Sequence, residues 1–324
     1  MKDNISIICV PFSIGGPSPA ACDGPSALLK AGLVDDLHEI GYKTKIIYPQ
    51  KKLLSYKGIA APKFRKNSIV NLKEIIEVNS WLSEIVKKEI KSGSIPLTIG
   101  GDHSLAIGTI SGVRDIYKDI GVIWIDRHFD AHSPKNTVSW RAHGMPVAVA
   151  IGDKKSDLHP DFQALLNIGK CKKLPKIKKE NFVQIGMGEK SKNNPKTKWY
   201  SMEDIDNLGI NKIIEKSFDY LLKRVKYVYI AWDIDSMNVT GTGTSGDGQL
   251  TLREGLVIAR AINKKIREKG RLAGFEMMEV APKLEKPFLG GQTVDWALQI
   301  TTTVFGDNLF NNYSKMTRNI NMHA

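Results

Sequence analysis

The chain alternates short apolar runs with longer amphipathic segments along nearly its whole length. The runs are rich in β-branched and aromatic residues, as buried strands are, and lie at 5–10, 44–48, 95–100, 122–126, 182–186, 227–233 and 273–279. The segments between them, such as 72–90 and 213–222, have the apolar spacing of helices. Strands joined by crossover helices form parallel sheets covered on both faces. The sequence therefore predicts an α/β fold with three αβα layers and a mostly parallel β-sheet.

A chain of 324 residues is long enough for one or two domains. No linker rich in proline and serine and no internal repeat interrupts the alternation, which favours one domain over residues 1–310. Residues 311–324 are polar and are predicted to form a mobile C-terminal tail.

The net charge of +13 raises the question of a nucleic-acid partner. The lysines are dispersed, no basic stripe contains interleaved aromatic residues, and no nucleic-acid-binding motif is present, so we expect a solvated basic surface instead. No apolar stretch reaches the roughly 18 residues of a membrane span, which predicts no membrane partner. The three cysteines Cys9, Cys22 and Cys171 are far apart and suit free thiols in a reducing compartment, so we expect a cytoplasmic protein.

Carboxylates and imidazoles follow three of the predicted strands, at the ends where parallel sheets hold their ligands. His103 lies in the motif GGDHS after the run at 95–100, while DRHFD at 126–130 and DID at 233–235 follow two other runs. Alternate residues of an extended backbone point to the same side. The side chains that we therefore expect to converge are Asp126, His128 and Asp130, and Asp233 with Asp235.

Four carboxylates gathered in a partly dry cleft need protons or cations to compensate their charge. Two divalent cations would supply +4, and His103 and His128 would complete the ligand shells. Carboxylate-dominated sites with one imidazole per ion suit Mn²⁺ better than structural zinc. A pair of ions about 3.5 to 4 Å apart would lower the pKa of a shared water and generate hydroxide. Each motif alone could be a turn or a helix cap, but their combination favours a metal site.

These motifs resemble those of the ureohydrolase family of arginase, agmatinase and their relatives, which hydrolyse guanidinium groups with two manganese ions. The resemblance extends over roughly residues 5–306, and its blocks are PFS at 11–13, GGDHS at 100–104, WIDRHFD at 124–130, HGMP at 143–146, WDID at 232–235 and MEV at 278–280. The PFS opening and KWYSMEDIDNLGI at 198–210 look more like arginase than agmatinase. The resemblance implies the arginase-like three-layer fold and a single catalytic domain.

The resemblance also implies a role for each matching residue. One Mn²⁺ of each subunit would be held by His103, Asp126, Asp130 and Asp233, and the other by Asp126, His128, Asp233 and Asp235. The catalytic residues would be the proton-shuttling His143, Asp130 and the guanidinium-binding Glu279. The substrate-binding residues would be His132, Ser139, Glu189, Ser191, Thr244 and Glu279.

The reaction implied is hydrolysis of a small guanidino substrate, with L-arginine and water giving L-ornithine and urea through a hydroxide that bridges the two ions. The resemblance further implies a homo-oligomer, either a trimer or a hexamer.

The sequence departs from the family pattern beside the metal motif and in the substrate loops. Arg127 stands where the family usually has alanine, and we expect its side chain to point away from the metals. His132, Trp140, Arg141 and Ser191 differ from arginase where that enzyme recognises the α-amino and α-carboxylate groups. Two alternatives therefore stay open. One is a hydrolase of another guanidino compound, such as agmatine, a guanidino acid or hydroxyarginine, and the other is a metal-binding protein with little turnover.

Overall fold

The computed structural model describes residues 4–59, 67–171, 173–188, 194–244, 248–286 and 292–306. The strands are β1 (Asn4–Val10), β2 (Lys43–Ile47), β3 (Ser94–Gly100), β4 (Ile120–Ile125), β5 (Phe182–Met187), β6 (Lys198–Ser201), β7 (Tyr227–Asp233) and β8 (Arg271–Met278). The helices are α1 (Gly24–Lys30), α2 (Leu33–Glu39), α3 (Lys51–Leu54), α4 (Leu72–Lys91), α5 (Ala106–Ile116), α6 (Pro146–Ile151), α7 (Pro160–Leu166), α8 (Met202–Leu208), α9 (Ile210–Leu222), α10 (Leu252–Lys269) and α11 (Gln292–Phe305).

The strands form one 8-stranded sheet in the order β2-β1-β3-β8-β7-β4-β5-β6, and neighbouring strands pair in parallel throughout the described ranges. The predicted parallel sheet is therefore confirmed. The sequence analysis missed only β6, which is four residues long and lies at the edge of the sheet. This strand buries a single residue, Tyr200, so its sequence carries no apolar run that would reveal it.

Two separate hydrophobic cores lie on the two faces of the sheet. Along β4, Val122 and Trp124 point into the core that contains residues of α3 to α7. Ile123 and Ile125 point into the other core, together with residues of α1, α2 and α8 to α11. Because successive strand residues face opposite sides, a strand covered by helices on both faces is apolar at every position. The prediction of three αβα layers is confirmed.

The amphipathic helices have apolar faces that match these cores. In α4 the buried residues Ile75, Val78, Leu82 and Val86 recur at helical spacing and pack into the core, while three of the four lysines of the helix are exposed. Helix α10 begins with a capping box, in which Thr251 and Glu254 each accept a backbone hydrogen bond from the other residue. None of the helices in the described ranges combines the length and apolarity needed to cross a membrane.

All of the described strands belong to the single sheet, which spans both halves of the chain. The predicted tail at 311–324 lies outside the described residues. The proposed domain boundary at residue 310 stays a prediction.

The strand order places β3, β8, β7 and β4 side by side, so their carboxyl ends meet at one edge of the sheet. Gly101, directly after β3, donates its N–H to the Val10 carbonyl oxygen at 3.1 Å. A Cβ atom at position 101 would lie 1.8 Å from the carbonyl oxygen of Phe12. Only glycine allows this close approach of two chain segments beneath the loop that carries His103.

We expect Gly101→Ala to destabilise the fold by about 3 kcal/mol or more, because the added methyl group meets backbone that cannot rotate away. Gly270→Ala is the control, since a Cβ there would lie 3.2 Å from a terminal carbon of the flexible Leu222 side chain. Urea unfolding of both variants measures the difference. Equal midpoints for Gly101→Ala and the wild type would contradict this account of the packing.

Candidate metal centre

The carboxyl ends of the four central strands supply one cluster of acidic and imidazole side chains. In chain order the cluster contains His103, Asp126, His128, Asp130, Asp233, Asp235 and Glu279. All of these residues are buried except His128, which is partly exposed. The structure thus brings together the residues expected to hold metal and the carboxylate expected to bind the substrate guanidinium.

The imidazole of His103 lies among three carboxylates. Its Nδ1 atom is 3.2 Å from Asp126 Oδ2, 3.2 Å from Asp130 Oδ2 and 3.0 Å from Asp233 Oδ2. This nitrogen is buried and has no hydrogen-bond partner of good geometry in the described part of the chain. A nitrogen and several carboxylate oxygens that face one point are the donors of a divalent cation site.

A second donor group lies beside the first and shares Asp126 with it. His128 Nδ1 is 2.9 Å from Asp235 Oδ2 and 3.7 Å from Asp126 Oδ1. The two oxygens of Asp126 therefore face different imidazoles, Oδ2 toward His103 and Oδ1 toward His128. Two groups could each hold a metal ion, namely His103, Asp126 and Asp233, and Asp126, His128 and Asp235. The residues present fit a site for two adjacent cations.

The convergence arises from turns and not from the extended backbone assumed in the sequence analysis. Asp233 caps a 3-10 turn, Ile234–Ser236, and its Oδ1 accepts the backbone N–H of Asp235 at 2.7 Å. Asp130 has a φ of 47°, in the left-handed region that non-glycine residues rarely adopt. Since Asp233 Oδ1 is held by this turn, only Oδ2 faces His103, and the bridging role expected for Asp233 stays a prediction.

The carboxylates keep both imidazoles protonated in the protein alone. Burial would lower the pKa of His103, but the attraction of the three carboxylates close to its Nδ1 outweighs burial and holds that pKa well above its usual range. Burial opposes protonation of His128 as well, yet hydrogen bonds with Asp126 and Asp235 raise its pKa to about 12. Protons on the two rings compensate part of the negative charge of the cluster.

Several of the acids also resist ionisation. Burial, followed by the negative charge of Asp126, raises the pKa of Asp130 to about 7. Burial and the charges of Asp235 and Asp126 raise the pKa of Asp233. Burial and the charges of Asp233 and Asp102 raise the pKa of Glu279. These shifts have one physical origin, because too many carboxylates share one buried place.

The sequence analysis did not single out Trp124, which contacts both donor groups. Its indole Nε1–H donates to Asp126 Oδ2 at 2.8 Å. Its ring stacks on the His103 imidazole with centroids 4.1 Å apart and planes 11° apart. Trp124 lies two residues before Asp126 in a buried strand, so the alternation of strand residues was the only sequence signal for this contact.

Asp102 was also missed, although it lies within the GGDHS motif. It is fully buried, and its carboxylate accepts the backbone N–H groups of Gly15 and Ser104, both at 2.9 Å. The Gly15 carbonyl oxygen in turn accepts the His143 backbone N–H at 3.1 Å and its ring Nδ1–H at 3.0 Å. Burial lowers the pKa of His143 to about 4, with the positive charges of His128 and Arg141 contributing. This ring is therefore neutral near pH 7, with its proton on Nδ1.

Glu279 follows β8 with a φ of 63° and lies directly beside the first donor group. Its Oε1 accepts the His103 backbone N–H at 2.9 Å, whereas its buried Oε2 has no hydrogen-bond partner among the described residues. Gly243 makes room for this carboxyl group, since a Cβ there would lie 2.3 Å from Oε2. Thr244 also lies at the cluster, where its hydroxyl donates to Asp235 Oδ2 at 2.6 Å.

The other expected substrate-binding residues are His132, Ser139, Glu189 and Ser191. His132 donates its backbone N–H to the Gly144 carbonyl oxygen at 2.9 Å, close to His143. Ser139 is exposed. Glu189 and Ser191 lie outside the described residues.

The departures from the family pattern occupy distinct places in the structure. Arg127 packs against the loop after β5, since a Cβ atom added at Gly188 would lie 3.1 Å from Arg127 Cγ. Trp140 is buried in the core and has a φ of 55°. Arg141 donates from Nη1 to the Gly16 carbonyl oxygen at 2.7 Å, next to the segment that holds His143.

Comparison with known proteins gives one consistent answer. The family model described as "Arginase family" matches residues 3–306. Arginase-1 of Rattus norvegicus is 35% identical over 325 residues, which cover 97% of this chain and 96% of the rat protein. Mitochondrial Arginase-2 of Bos taurus is 34% identical over 291 residues, which cover 87% of this chain and 78% of the bovine protein.

A solved structure of similar fold is the arginase from Bacillus caldovelox. It is 30% identical in sequence, has a TM-score of 0.82, and the match covers 95% of this chain and 100% of that chain. The similarity therefore extends over the whole sheet and over all of the loops that form the candidate metal centre.

Metal binding to this cluster is expected to release protons and to strengthen as pH rises. The pKa of His128 is about 12 and that of His103 is well above its usual value, so both rings must lose a proton before they can act as ligands near pH 7. Calorimetric titration of chelator-treated protein with Mn²⁺, between about pH 6 and pH 8 and in buffers of different ionisation enthalpy, measures both effects. An affinity that stays constant across this range would contradict the prediction.

Proposed function

The chain belongs to the arginase family, and we propose that it hydrolyses the guanidino group of L-arginine to give L-ornithine and urea, with manganese as its cofactor. Membership of this family makes the protein a ureohydrolase-type hydrolase, whereas the choice of L-arginine and of manganese is our proposal. The observation that carries the proposal is the pair of candidate metal-binding groups that share Asp126.

Six side chains would hold two Mn²⁺ ions in each subunit. We assign His103, Asp126, Asp130 and Asp233 to the first ion, and Asp126, His128, Asp233 and Asp235 to the second. When bound, the two cations would lower the pKa of a water molecule and so supply a hydroxide nucleophile near neutral pH. Asp130 would serve both as a ligand and as a hydrogen-bond acceptor that orients the water.

Glu279 would bind the guanidinium group of the substrate. Its buried Oε2 is available for a hydrogen bond with a guanidinium N–H, while Oε1 is held by the backbone of His103. A charge-assisted pair of this kind fixes the orientation of the planar cation. The substrate would thereby present its central carbon to the cluster, and Thr244 would line the same pocket beside Asp235.

His143 would transfer a proton to the departing amine. Its Nδ1–H donates to the Gly15 carbonyl oxygen, so Nε2 carries the lone pair that can accept a proton. The low pKa keeps the ring neutral and makes its protonated form a strong acid. Nε2 would first take a proton from the attacking water and then, as the carbon–nitrogen bond to the amine breaks, pass it to that nitrogen, so that urea and the amine are released.

Arg141 and His132 bear on the identity of the substrate. The Arg141 guanidinium is anchored at Gly16, near His143, and a cation at this place attracts a carboxylate and repels a second cation. We therefore place L-arginine and guanidino acids ahead of agmatine, which has an amine but no carboxylate. The remaining substrate contacts would come from His132, Ser139, Glu189 and Ser191. Because His132 and Ser191 differ from the residues of arginase, hydrolysis of another guanidino compound is the second candidate.

We propose a cytoplasmic homo-oligomer, a trimer or a hexamer, on the basis of the family resemblance. The cysteines are free, which agrees with a reducing compartment. Because the relative from Bos taurus, Arginase-2, is mitochondrial, cell fractionation is the test of the proposed cytoplasmic location. A small guanidino compound is the expected partner, and nothing in the motifs points to nucleic acid.

A substrate panel tests the proposed reaction. We expect the Mn²⁺-loaded protein to release urea fastest from L-arginine among arginine, hydroxyarginine, agmatine and guanidino acids, and we expect Asp126→Ala and His128→Ala to release none. Glu89→Gln is the control, because this buried carboxylate binds Lys45 and Ser6 away from the cluster. Urea from another compound alone would select the second candidate function. Bound manganese without urea from any compound would favour a metal-binding protein with little turnover.

Glu279→Gln is expected to reduce kcat/KM for L-arginine by about 30-fold or more, which corresponds to about 2 kcal/mol for a lost buried charge pair. The Mn²⁺ content should stay at the wild-type level, since Glu279 is not among the proposed ligands. Steady-state urea release and metal analysis of the same preparation measure the two quantities. An unchanged kcat/KM would remove Glu279 from the substrate site.

A further inference from the structure

We propose that Glu276 is a positioning residue for the metal centre, which holds the far side of the His103 imidazole so that Nδ1 is presented to the first metal ion. Thr109 and Tyr229 hold the Glu276 carboxylate in place for this task. The inference rests on the proposed function, because it concerns a ligand of the proposed metal site.

Glu276 is an unexpected residue for its position. It lies within β8, which is buried around it, and its own side chain is 0% exposed. An isolated carboxylate in an apolar interior is costly unless it has partners. One oxygen has such partners, since Thr109 Oγ1 donates to Glu276 Oε2 at 2.6 Å and Tyr229 Oη donates to Thr109 Oγ1 at 2.8 Å. This relay fixes the carboxylate and leaves the second oxygen for another donor.

The second oxygen faces His103. Glu276 Oε1 lies 3.7 Å from His103 Nε2, and neither of these buried atoms has a hydrogen-bond partner among the described residues. A hydrogen bond between nitrogen and oxygen needs a separation of about 3.2 Å or less, so a shift of about half an ångström would form one. The Nε2–H group of His103 is therefore a suitable donor for this bond, and Oε1 of Glu276 is a suitable acceptor.

The orientation of the ring makes this pairing specific. Trp124 stacks on one face of the imidazole and sets its plane, while Nδ1 points at the three carboxylates of the first donor group. When Nδ1 binds a cation, the remaining proton of the neutral ring is on Nε2, which points at Glu276. A carboxylate that accepts this proton fixes the tautomer and makes the imidazole a better ligand.

Glu276 faces His103, which belongs to the first donor group and not to the second. His128 is partly exposed and contacts Asp126 and Asp235. Glu276 should therefore affect the two proposed ions differently. If Glu276 had only a structural role in the core, its loss would weaken the binding of both ions or of neither. The difference in affinity between the two binding steps is therefore the readout.

The experiment is a Mn²⁺ titration of the full-length, chelator-treated protein, in which electron paramagnetic resonance measures free Mn²⁺. We expect Glu276→Met, which removes the acceptor, to weaken one of the two binding steps by about 10- to 100-fold and to leave the other unchanged. Glu276→Gln keeps an acceptor oxygen without the charge and should give a smaller loss at the same step. Tyr229→Phe removes the end of the relay and should also weaken only that step.

Glu89→Gln provides the matched control, because it neutralises another buried glutamate that is held by Ser6 Oγ and Lys45 Nζ, each at 2.7 Å. This variant should bind both ions as the wild type does. Thermal unfolding by circular dichroism identifies variants that fail to fold, and if Glu276→Met is one of them, Glu276→Gln and Tyr229→Phe decide the question.

Wild-type affinity for both ions in the folded Glu276 variants, or equal weakening of both steps, would overturn the positioning role. If the wild type binds no Mn²⁺, the proposed metal site and this inference fail together. If the wild type binds two ions but releases no urea from any guanidino compound, only the proposed reaction fails.

Discussion

The crowding of carboxylates at the ends of four parallel strands is the constraint on which the rest of the structure depends. Asp126, Asp130, Asp233 and Asp235 could not remain together in a buried place without positive charge between them. In the protein alone that charge comes from protons on the imidazoles, as the raised pKa of His128 indicates. Divalent cations can replace those protons on the same donors. The stability and the chemistry of the cluster therefore both depend on whether protons or cations balance its negative charge.

The surrounding structure holds this repelling cluster in place from several sides. Trp124 donates a hydrogen bond to Asp126 Oδ2 and stacks on the His103 ring, and Asp102 ties the segment at Gly15 to the turn that carries His103. Left-handed backbone at Asp130 and Glu279 adds conformational strain of the order of 1 to 3 kcal/mol per residue. Such strain persists only where neighbouring contacts over-determine the conformation, which is typical of functional sites.

The fold was largely predictable because its strands are buried on both faces. Runs such as 122–126 and 227–233 are apolar at nearly every position, and this pattern identifies strands of a covered parallel sheet. The edge strand β6 escaped prediction because it buries only Tyr200. The candidate ligands were predictable because they directly follow such strands. The reason given for their convergence was wrong, since Asp130 and Asp235 are brought in by a left-handed residue and a 3-10 turn.

The sequence by itself determined the sheet, its two covered faces, the family resemblance and the residue types gathered at the strand ends. These features are local, because they follow from periodicity and from motifs of a few residues. Only the tertiary structure decided which oxygen of Asp126 faces which imidazole, and that Glu276 and Tyr229 lie behind His103. Such contacts join strands that are distant in the chain, and their geometry depends on sheet order and register, which no single segment encodes.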